Sequence, residues 1–376
     1  MSKIFFVANH PFTLSNFRAK LIGQISELGH DLCALFPFDQ NDPYVKKQFK
    51  NLPVKLIPIF LSRRGLNPLI DFISFFKLYF LYKREKPQIV LNYTIKPNIY
   101  SGLAAVLAGV PKVYSNITGL GFLFIDFEKA SFFKALIRGI VCRLYRVSLS
   151  KQNGVFFQNS DDLNFFIDKK IVKENNAYLI NGSGVDLTFF TPNFDIAKKK
   201  NSFVFVGRLL KDKGIQELVD ATKLLIKRGH HFNLTVIGGL DENPSSVDKA
   251  QIETWKQEPN IKFLGHLEDV REELSKSEIL VLPSYREGTP KSVLEAMAMG
   301  LAIITTDVPG CRETVIPGKN GILVAPKNHF ALAQAMEQFI KHPHMAEEMG
   351  LESRVFAAKK FDVNKINEDI ASTVLG

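Results

Sequence analysis

At 376 residues the chain exceeds the roughly 250–300 at which a single hydrophobic core stops growing, so two domains are expected. Its 46% hydrophobic and 23% charged residues exclude a disordered or fibrous protein. The formal charge of +10 is regional: residues 1–190 hold 24 Lys and Arg against 13 Asp and Glu, residues 191–376 hold 24 against 25, and the stretch 61–151 alone holds 14 against 4. Charge so placed bears on the partners of the first half, not on its fold.

The opening MSKIFFVANHPF has an apolar core of only Ile4 to Val7, too short for a signal peptide, and reads as a first strand. A helix-patterned segment follows, and then HDLCALFP, VKLIPI, QIVLNYT, KVYSNIT and NGVFFQNS, short apolar strands with helices between them. Two of those helices stand apart. Residues 68–82 are apolar nearly all round except for Asp71, Ser74 and Lys77 at three-residue steps, flanked by Arg63, Arg64, Lys83, Arg84 and Lys86. Residues 132–146 set Phe133, Ile137, Ile140, Val141 and Leu144 on one face, with Lys134, Arg138 and Arg146 off it. No window reaches the ~18–20 uncharged apolar residues of a membrane span. These helices either pack on the first sheet or lay a basic-flanked apolar face on an anionic membrane surface.

The pattern breaks at GSGVDLTFFTPNFDIAKKKNS, which places a linker at about 184–200 between a first domain, 1–184, and a second, 200–360, with a C-terminal helix over 361–376. The second half repeats the first: NSFVFVG, NLTVIGG, IKFLGHL, ILVLPS, LAIITT and NGILVAP alternate with helical segments. Both series have the grammar of a parallel, doubly wound sheet, so the fold class is α/β with two Rossmann-like domains.

Such sheets bind ligands beyond the carboxyl ends of their strands. After ILVLPS comes REGTPKSVLEAMAMG, in which Glu287 and Gly288 form a turn, Thr289 caps a helix and Pro290 takes its first position. A helix start seats phosphate, and Glu287 and Glu295 flank this one, a pattern suited to a ligand with hydroxyls around a phosphate. In FVGRLLKDKG, a permissive Gly207, the forked Arg208 and the flexible Lys213 suit a diphosphate. VIGGLDENP sets Gly238 and Gly239 just after another strand.

Other chemistries find less support. Cys33, Cys142 and Cys311 lie far apart and fit a reducing cytosol. His10 ends the first strand, as a site residue or as a plain loop histidine. There is no HExxH and no Asp-x-Asp, Asp126-Phe127-Glu128 reading as a solvated turn, so a metal site is not expected. GxSxG, GxGxxG and GxxxxGK[ST] are absent.

Together, EGTPKSVLE at 287–295, VGRLLKDKG at 206–214, VPGCRETVIPGKNGILV at 308–324, NGSGVDLTFFTP and FQNSDD resemble the family-4 retaining glycosyltransferases of GT-B architecture, over nearly the whole chain. The resemblance implies two Rossmann-like domains facing across a cleft, a C-terminal helix crossing back to the first, and sugar transfer with retention, without metal or cofactor. It implies a nucleotide-sugar donor held mainly by the second domain. Arg208 and Lys213 would lie on its diphosphate, Glu295 on the ribose hydroxyls and Glu287 on the donor sugar, with Glu287, Arg208 and Lys213 as the catalytic set. Gly207, Gly239, Leu267, Thr289, Pro290, Lys291, Ser292, Val293 and Leu294 would complete the donor site. FLGHL, at 263–267, falls where such proteins often hold the base.

More narrowly, VIGGLDENP, LPSYREGTPKSVLEA and TGLGFLF are similar to N-acetylgalactosaminyltransferases that extend undecaprenyl-diphosphate-linked sugars. That implies a UDP-sugar donor, best an N-acetylhexosamine, a polyprenyl-diphosphate-linked saccharide acceptor, and a cytoplasmic place on the inner face of a bacterial membrane, in surface glycan or glycoprotein biosynthesis. For the acceptor the first-domain loops offer Asn16, Arg18, Lys96, Thr118 and Gly119. Lys96 either meets an acceptor phosphate or sits in solvent. Many members carry a histidine in this domain that touches the donor sugar; the comparable loops here offer Thr94, Lys96, Asn98 and Thr118, and no base is assigned. Two alternatives stand beside this reading. A GT-B sugar-nucleotide epimerase needs acid and base groups in the cleft and no separate acceptor. A basic nucleic-acid-binding protein needs a continuous basic stripe with stacking aromatics, which helically spaced Phe and Lys between strands fit poorly, so no nucleic acid is expected as partner.

Overall fold

The computed structural model describes residues 1–62, 67–120, 124, 132–193, 195–241, 243 and 245–376. Outside them lie Arg63 and Arg64 of the basic flank, Asp126, Phe127 and Glu128, Gly121, Phe122 and Leu123 of TGLGFLF, Phe194 in the linker, and Glu242 and Pro244 of VIGGLDENP. The chain divides into two compact units, Met1–Ser183 with Asn364–Gly376, and Gly184–Val363.

In the first unit, β1 (Lys3–Val7), β2 (Asp31–Phe36), β3 (Lys55–Pro58), β4 (Ile89–Tyr93), β5 (Lys112–Ile117), β6 (Gly154–Phe157) and β7 (Ala177–Leu179) form a sheet in the order 3-2-1-4-5-6-7. Every pairing is parallel. Between the strands run α1 (Pro11–Phe17), α2 (Ala19–Glu27), α3 (Pro43–Phe49), α4 (Pro68–Glu85), α5 (Gly102–Ala108), α6 (Phe132–Leu149) and α7 (Ser160–Asp168). The inner strands are buried on both faces, as helices on both sides of a parallel sheet require, while the edge strands β3 and β7 are half-buried or exposed. Ile4, Phe6, Leu91 and Tyr93 enter one core, and Phe5, Val7, Val90 and Val113 the other. His10 resolves as a helix cap, its Nδ1 accepting the Phe12 N–H at 3.3 Å.

The second unit repeats this plan. β8 (Ser202–Val206), β9 (Asn233–Ile237), β10 (Ile261–Gly265), β11 (Ile279–Leu282), β12 (Ala302–Thr306) and β13 (Gly321–Val324) pair in parallel in the order 10-9-8-11-12-13. They alternate with α8 (Ile215–Lys227), α9 (Lys249–Trp255), α10 (Arg271–Ser275), α11 (Lys291–Ala298), α12 (His329–Lys341) and α13 (His344–Lys360). The final helix, α14 (Val363–Leu375), returns to the first unit. There Ile366, Ile370 and Val374 join the core of Ile4 and Phe6, and Lys112 Nζ donates to the Leu375 carbonyl at 3.3 Å. In each sheet the strand order reverses once, between β1 and β4 and between β8 and β11. Connections leave those neighbours in opposite directions, so a crevice opens at their carboxyl ends.

The helix α4 is turned inside out. Asp71, Ser74, Leu78 and Tyr82 are buried, while Phe72 and Phe80 are 61% and 64% exposed and Leu69, Ile73 and Phe76 share their outward face. The polar stripe expected from Asp71, Ser74 and Lys77 is therefore split. Asp71 accepts Lys96 Nζ at 2.6 Å, Ser74 Oγ donates to the Ile70 carbonyl at 2.8 Å, and Lys77 lies outward over the Phe60 ring. Satisfying Asp71 internally is what orients the helix, since a buried carboxylate needs a partner. On α6, Val141, Tyr145 and Leu149 face inward, and Phe132, Leu136, Ile140 and Val147 outward. Ile140 thus leaves the apolar face on which spacing placed it. Among the described residues no helix is long and apolar enough to cross a membrane.

Candidate active site

The crevice of the second unit lies where β8 and β11 end, and the sequence places Gly207-Arg208 after one and Pro283-Ser284 after the other. The loop after β8 is tied to β9 by Gly207 N–H to the Ile237 carbonyl at 3.0 Å and Leu209 N–H to the Gly239 carbonyl at 3.1 Å. A Cβ on Gly238 would stand 1.8 Å from the Gly207 carbonyl oxygen, so only glycine fits there. At Gly239 a Cβ would meet only His266, at 3.6 Å, so that position is open where Gly238 is closed.

Lys213, in a short helical turn, donates its ammonium to Glu287 Oε1, and Ser284 Oγ donates to the same oxygen at 2.5 Å. Three positions far apart in sequence are thereby joined, with Oε2 carrying neither bond. The Glu287 backbone is fixed by the segment 308–310. Its N–H donates to the Pro309 carbonyl at 3.1 Å, and Gly310, at φ +82°, lies so close that a Cβ would come within 2.5 Å of the Glu287 carbonyl oxygen. Behind it burial pushes the Cys311 thiol up to about 12, the Glu287 charge adding to the effect, so Cys311 is a neutral packing group.

Arg208 is 55% exposed at its side chain, and its Nη1 donates to Asp241 Oδ2 at 2.9 Å. Asp241 was within reach of the sequence, inside VIGGLDENP, but spacing alone did not show that it turns back onto Arg208.

The helix α11 begins one residue later than expected. Pro290, with ψ 112°, is its N-cap, and its carbonyl accepts from Val293 and Leu294 at 3.0 and 3.2 Å. Thr289 stands one residue before the cap and is buried. The side chains of Val293 and Leu294 are fully buried in the core, whereas Lys291 and Ser292 are half-buried. Glu295 follows one turn in, with Lys291 Nζ at 3.8 Å. Burial pushes its carboxyl up to about 7, against the pull of Lys291 and with a small push from Asp269. Leu267 packs half-buried against the same core.

In the first unit Asn16 is half-buried on α1, and Thr118 and Gly119 are half-buried just beyond β5. Lys96 does not stand in solvent: it is 12% exposed, and its Nζ donates to Asp71 Oδ1 at 2.6 Å. Arg18 is 1% exposed and lies over the Tyr93 ring, 4.9 Å from its centroid. Among the described residues no group of three or more His, Cys, Asp or Glu could hold a metal ion.

Two parallel sheets with one reversal each, and cations paired with carboxylates at the carboxyl edge of the second, define a doubly wound α/β protein with a polar crevice at a strand reversal. The chain belongs to the glycosyltransferases: residues 188–355 match the family described as glycosyl transferases group 1, and residues 6–159 the family described as glycosyl transferase 4-like. It is 29% identical over 90% of its length, and 89% of the relative's, to the N,N'-diacetylbacillosaminyl-diphospho-undecaprenol alpha-1,3-N-acetylgalactosaminyltransferase of Campylobacter jejuni. To the capsular polysaccharide biosynthesis glycosyltransferase CapM of Staphylococcus aureus it is 28% identical, covering 87% of this chain and 86% of that one. Among solved structures it resembles sucrose-phosphate synthase of Thermosynechococcus elongatus, with a TM-score of 0.80, 19% identity and coverage of 99% and 98%, and Anabaena HepE in complex with UDP-glucose, with 0.77, 17% and 99% of both chains. The fold is GT-B. These relatives are named as transferases, which leaves the epimerase alternative without support.

Proposed function

We propose that the protein transfers an N-acetylhexosamine, with retention, from a UDP-sugar to a saccharide linked to polyprenyl diphosphate. The observation that carries the reading is the convergence of Lys213 and Ser284 on Glu287 at the strand reversal of the second unit, with Arg208 after the adjoining strand. On this reading Arg208 and Lys213 take the diphosphate, aided by the start of α11. Glu295 takes the ribose hydroxyls, and Glu287, steadied through Oε1, offers Oε2 to a hydroxyl of the donor sugar. The bond from the anomeric carbon to the diphosphate breaks as the acceptor hydroxyl adds on the same face, and its proton passes to the departing phosphate oxygen. Cations held in place before the reaction stabilise the charge that develops there. The relatives named for undecaprenol-linked substrates support the acceptor class.

The outward faces of α4 and α6 extend this proposal to an anionic membrane surface at the inner leaflet. Phe72, Phe76 and Phe80 would enter the interface while Lys77, Lys83 and Arg84 meet lipid phosphates, about 1 kcal/mol for each charge near the surface.

A panel of UDP- and GDP-sugars, incubated with an undecaprenyl-diphosphate-linked disaccharide and followed by nucleotide release, tests the function. Release from a UDP-N-acetylhexosamine, dependent on the acceptor, is expected; no release from any donor overturns it.

A further inference from the structure

The first unit buries a cation without a partner. Arg18 sits where α1 ends and α2 begins, with φ −129° and ψ 2°, and is 1% exposed; Nε, Nη1 and Nη2 are all buried and make no hydrogen bond. Its one neighbour of note is the Tyr93 ring, itself stacked on Phe6. Five N–H donors left unmade in a low-dielectric interior are costly, and a charge there is expected to be paired.

The surroundings point the same way. Tyr93 is the last residue of β4, on the reversal side of the sheet, and its register partner on β5 is Asn116. With side chains alternating along parallel strands, Tyr93 and Asn116 share a face. Asn116 Oδ1 is buried without a partner, as is Thr94 Oγ1, and Thr94 holds φ +74°, a conformation a β-branched residue rarely adopts. Asn98 bridges them, its N–H to the Thr94 carbonyl at 3.0 Å and its Nδ2 to the Asn116 carbonyl at 2.9 Å. Unmet donors, unmet acceptors and strained backbone coincide at the crevice of this sheet.

We propose that Arg18, over the Tyr93 ring and on the face of the sheet that Asn116 shares, is the receptor for a phosphate group of the acceptor, the diphosphate that joins saccharide to carrier. This rests on the acceptor assigned above. The guanidinium fork matches phosphate oxygens two at a time, and Asn116 Oδ1 accepts from a neighbouring hydroxyl. Access requires a shift of α1, seven residues long and burying only Pro11 and Leu14, whereas α2 is anchored by Leu21, Ile22 and Ile25.

The test uses the full chain carrying Arg208→Ala and Lys213→Ala, which removes the cations of the second unit's site and makes the readout independent of sugar transfer. Inorganic pyrophosphate and undecaprenyl diphosphate in detergent micelles are titrated separately, following thermal unfolding and amide exchange over residues 11–18. Both ligands are expected to stabilise the protein and alter exchange there. Adding Arg18→Met is expected to weaken both affinities by about 10–100-fold, the worth of charged hydrogen bonds, while the melting temperature without ligand is unchanged or raised because an unpaired buried charge is gone. Arg18→Lys, which keeps the charge and loses the fork, should weaken binding severalfold and serves if the Met variant fails to fold. Equal responses with and without Arg18, or none to either ligand, overturn the proposal. A response to pyrophosphate but none to undecaprenyl diphosphate overturns the acceptor assignment.

Discussion

Lys213 and Glu287 hold one another in the resting site, so each variant separates charge from position. Lys213→Ala removes a cation from the departing diphosphate and should lower kcat by about 10²–10³-fold, the cost of losing one preorganised donor. Glu287→Gln keeps the shape of the side chain and the Ser284 contact; nucleotide release should show a large fall in kcat with donor KM little changed. Glu295 carries a pH dependence whose sign follows from burial. Its folded-state carboxyl titrates at about 7 against an ordinary value of about 4.3, so the folded protein holds a proton that the unfolded chain has lost, and stability falls as pH rises between those values. The full cost, about 4 kcal/mol, is present above pH 7. Glu295→Gln should therefore melt higher than the parent at pH 8 and equal to it near pH 4, while binding UDP-sugar more weakly. Thermal scans across pH check the first part and donor titration the second. The carboxylates and cations of this site were legible in the sequence because each follows a strand. Asp241 on Arg208 and Ser284 on Glu287 were not, since those contacts come from loop closures that spacing does not encode.

At the scale of elements, the turn at 308–310 and the helix α4 act by shape. Gly310→Ala meets both a left-handed φ and the Glu287 carbonyl, whereas Gly318→Ala has the same kind of φ, +78°, and open space around it. The first should destabilise by a few kcal/mol and lower kcat by moving Glu287; the second should cost about 1 kcal/mol and leave kcat unchanged. Denaturant unfolding and steady-state kinetics on both variants separate strain from site geometry. For α4, Phe72→Ser with Phe76→Ser and Phe80→Ser should leave stability nearly unaltered, because these rings are already exposed, and should abolish sedimentation with anionic liposomes. Asp71→Ala should do the reverse, destabilising by about 3–5 kcal/mol through a stranded Lys96 while leaving the outward face intact. Periodicity showed that α4 was unusual, but not which side faced in, because the partner that draws Asp71 inward lies 25 residues away.

At the scale of the whole molecule, both halves of the chain form the same strand order, and the last helix belongs to the unit where the chain began. Removing residues 364–376 takes Ile366, Ile370 and Val374 out of the first unit's core, at about 1.5–3 kcal/mol for each side chain. Calorimetry should then show that unit's transition shifted down with the other in place; a single unshifted transition would count against this packing. The sequence by itself determined the α/β class, the two parallel sheets and the residues at the carboxyl edge of the second, because apolar runs, turn residues and charges after strands are local signals. Tertiary structure alone decided which oxygen of Glu287 is held, that Lys96 is bound to Asp71, which face of α4 is outward, and that Arg18 is buried without a partner. Those are properties of side chains brought together across a sheet, where burial and pairing depend on neighbours distant in the chain.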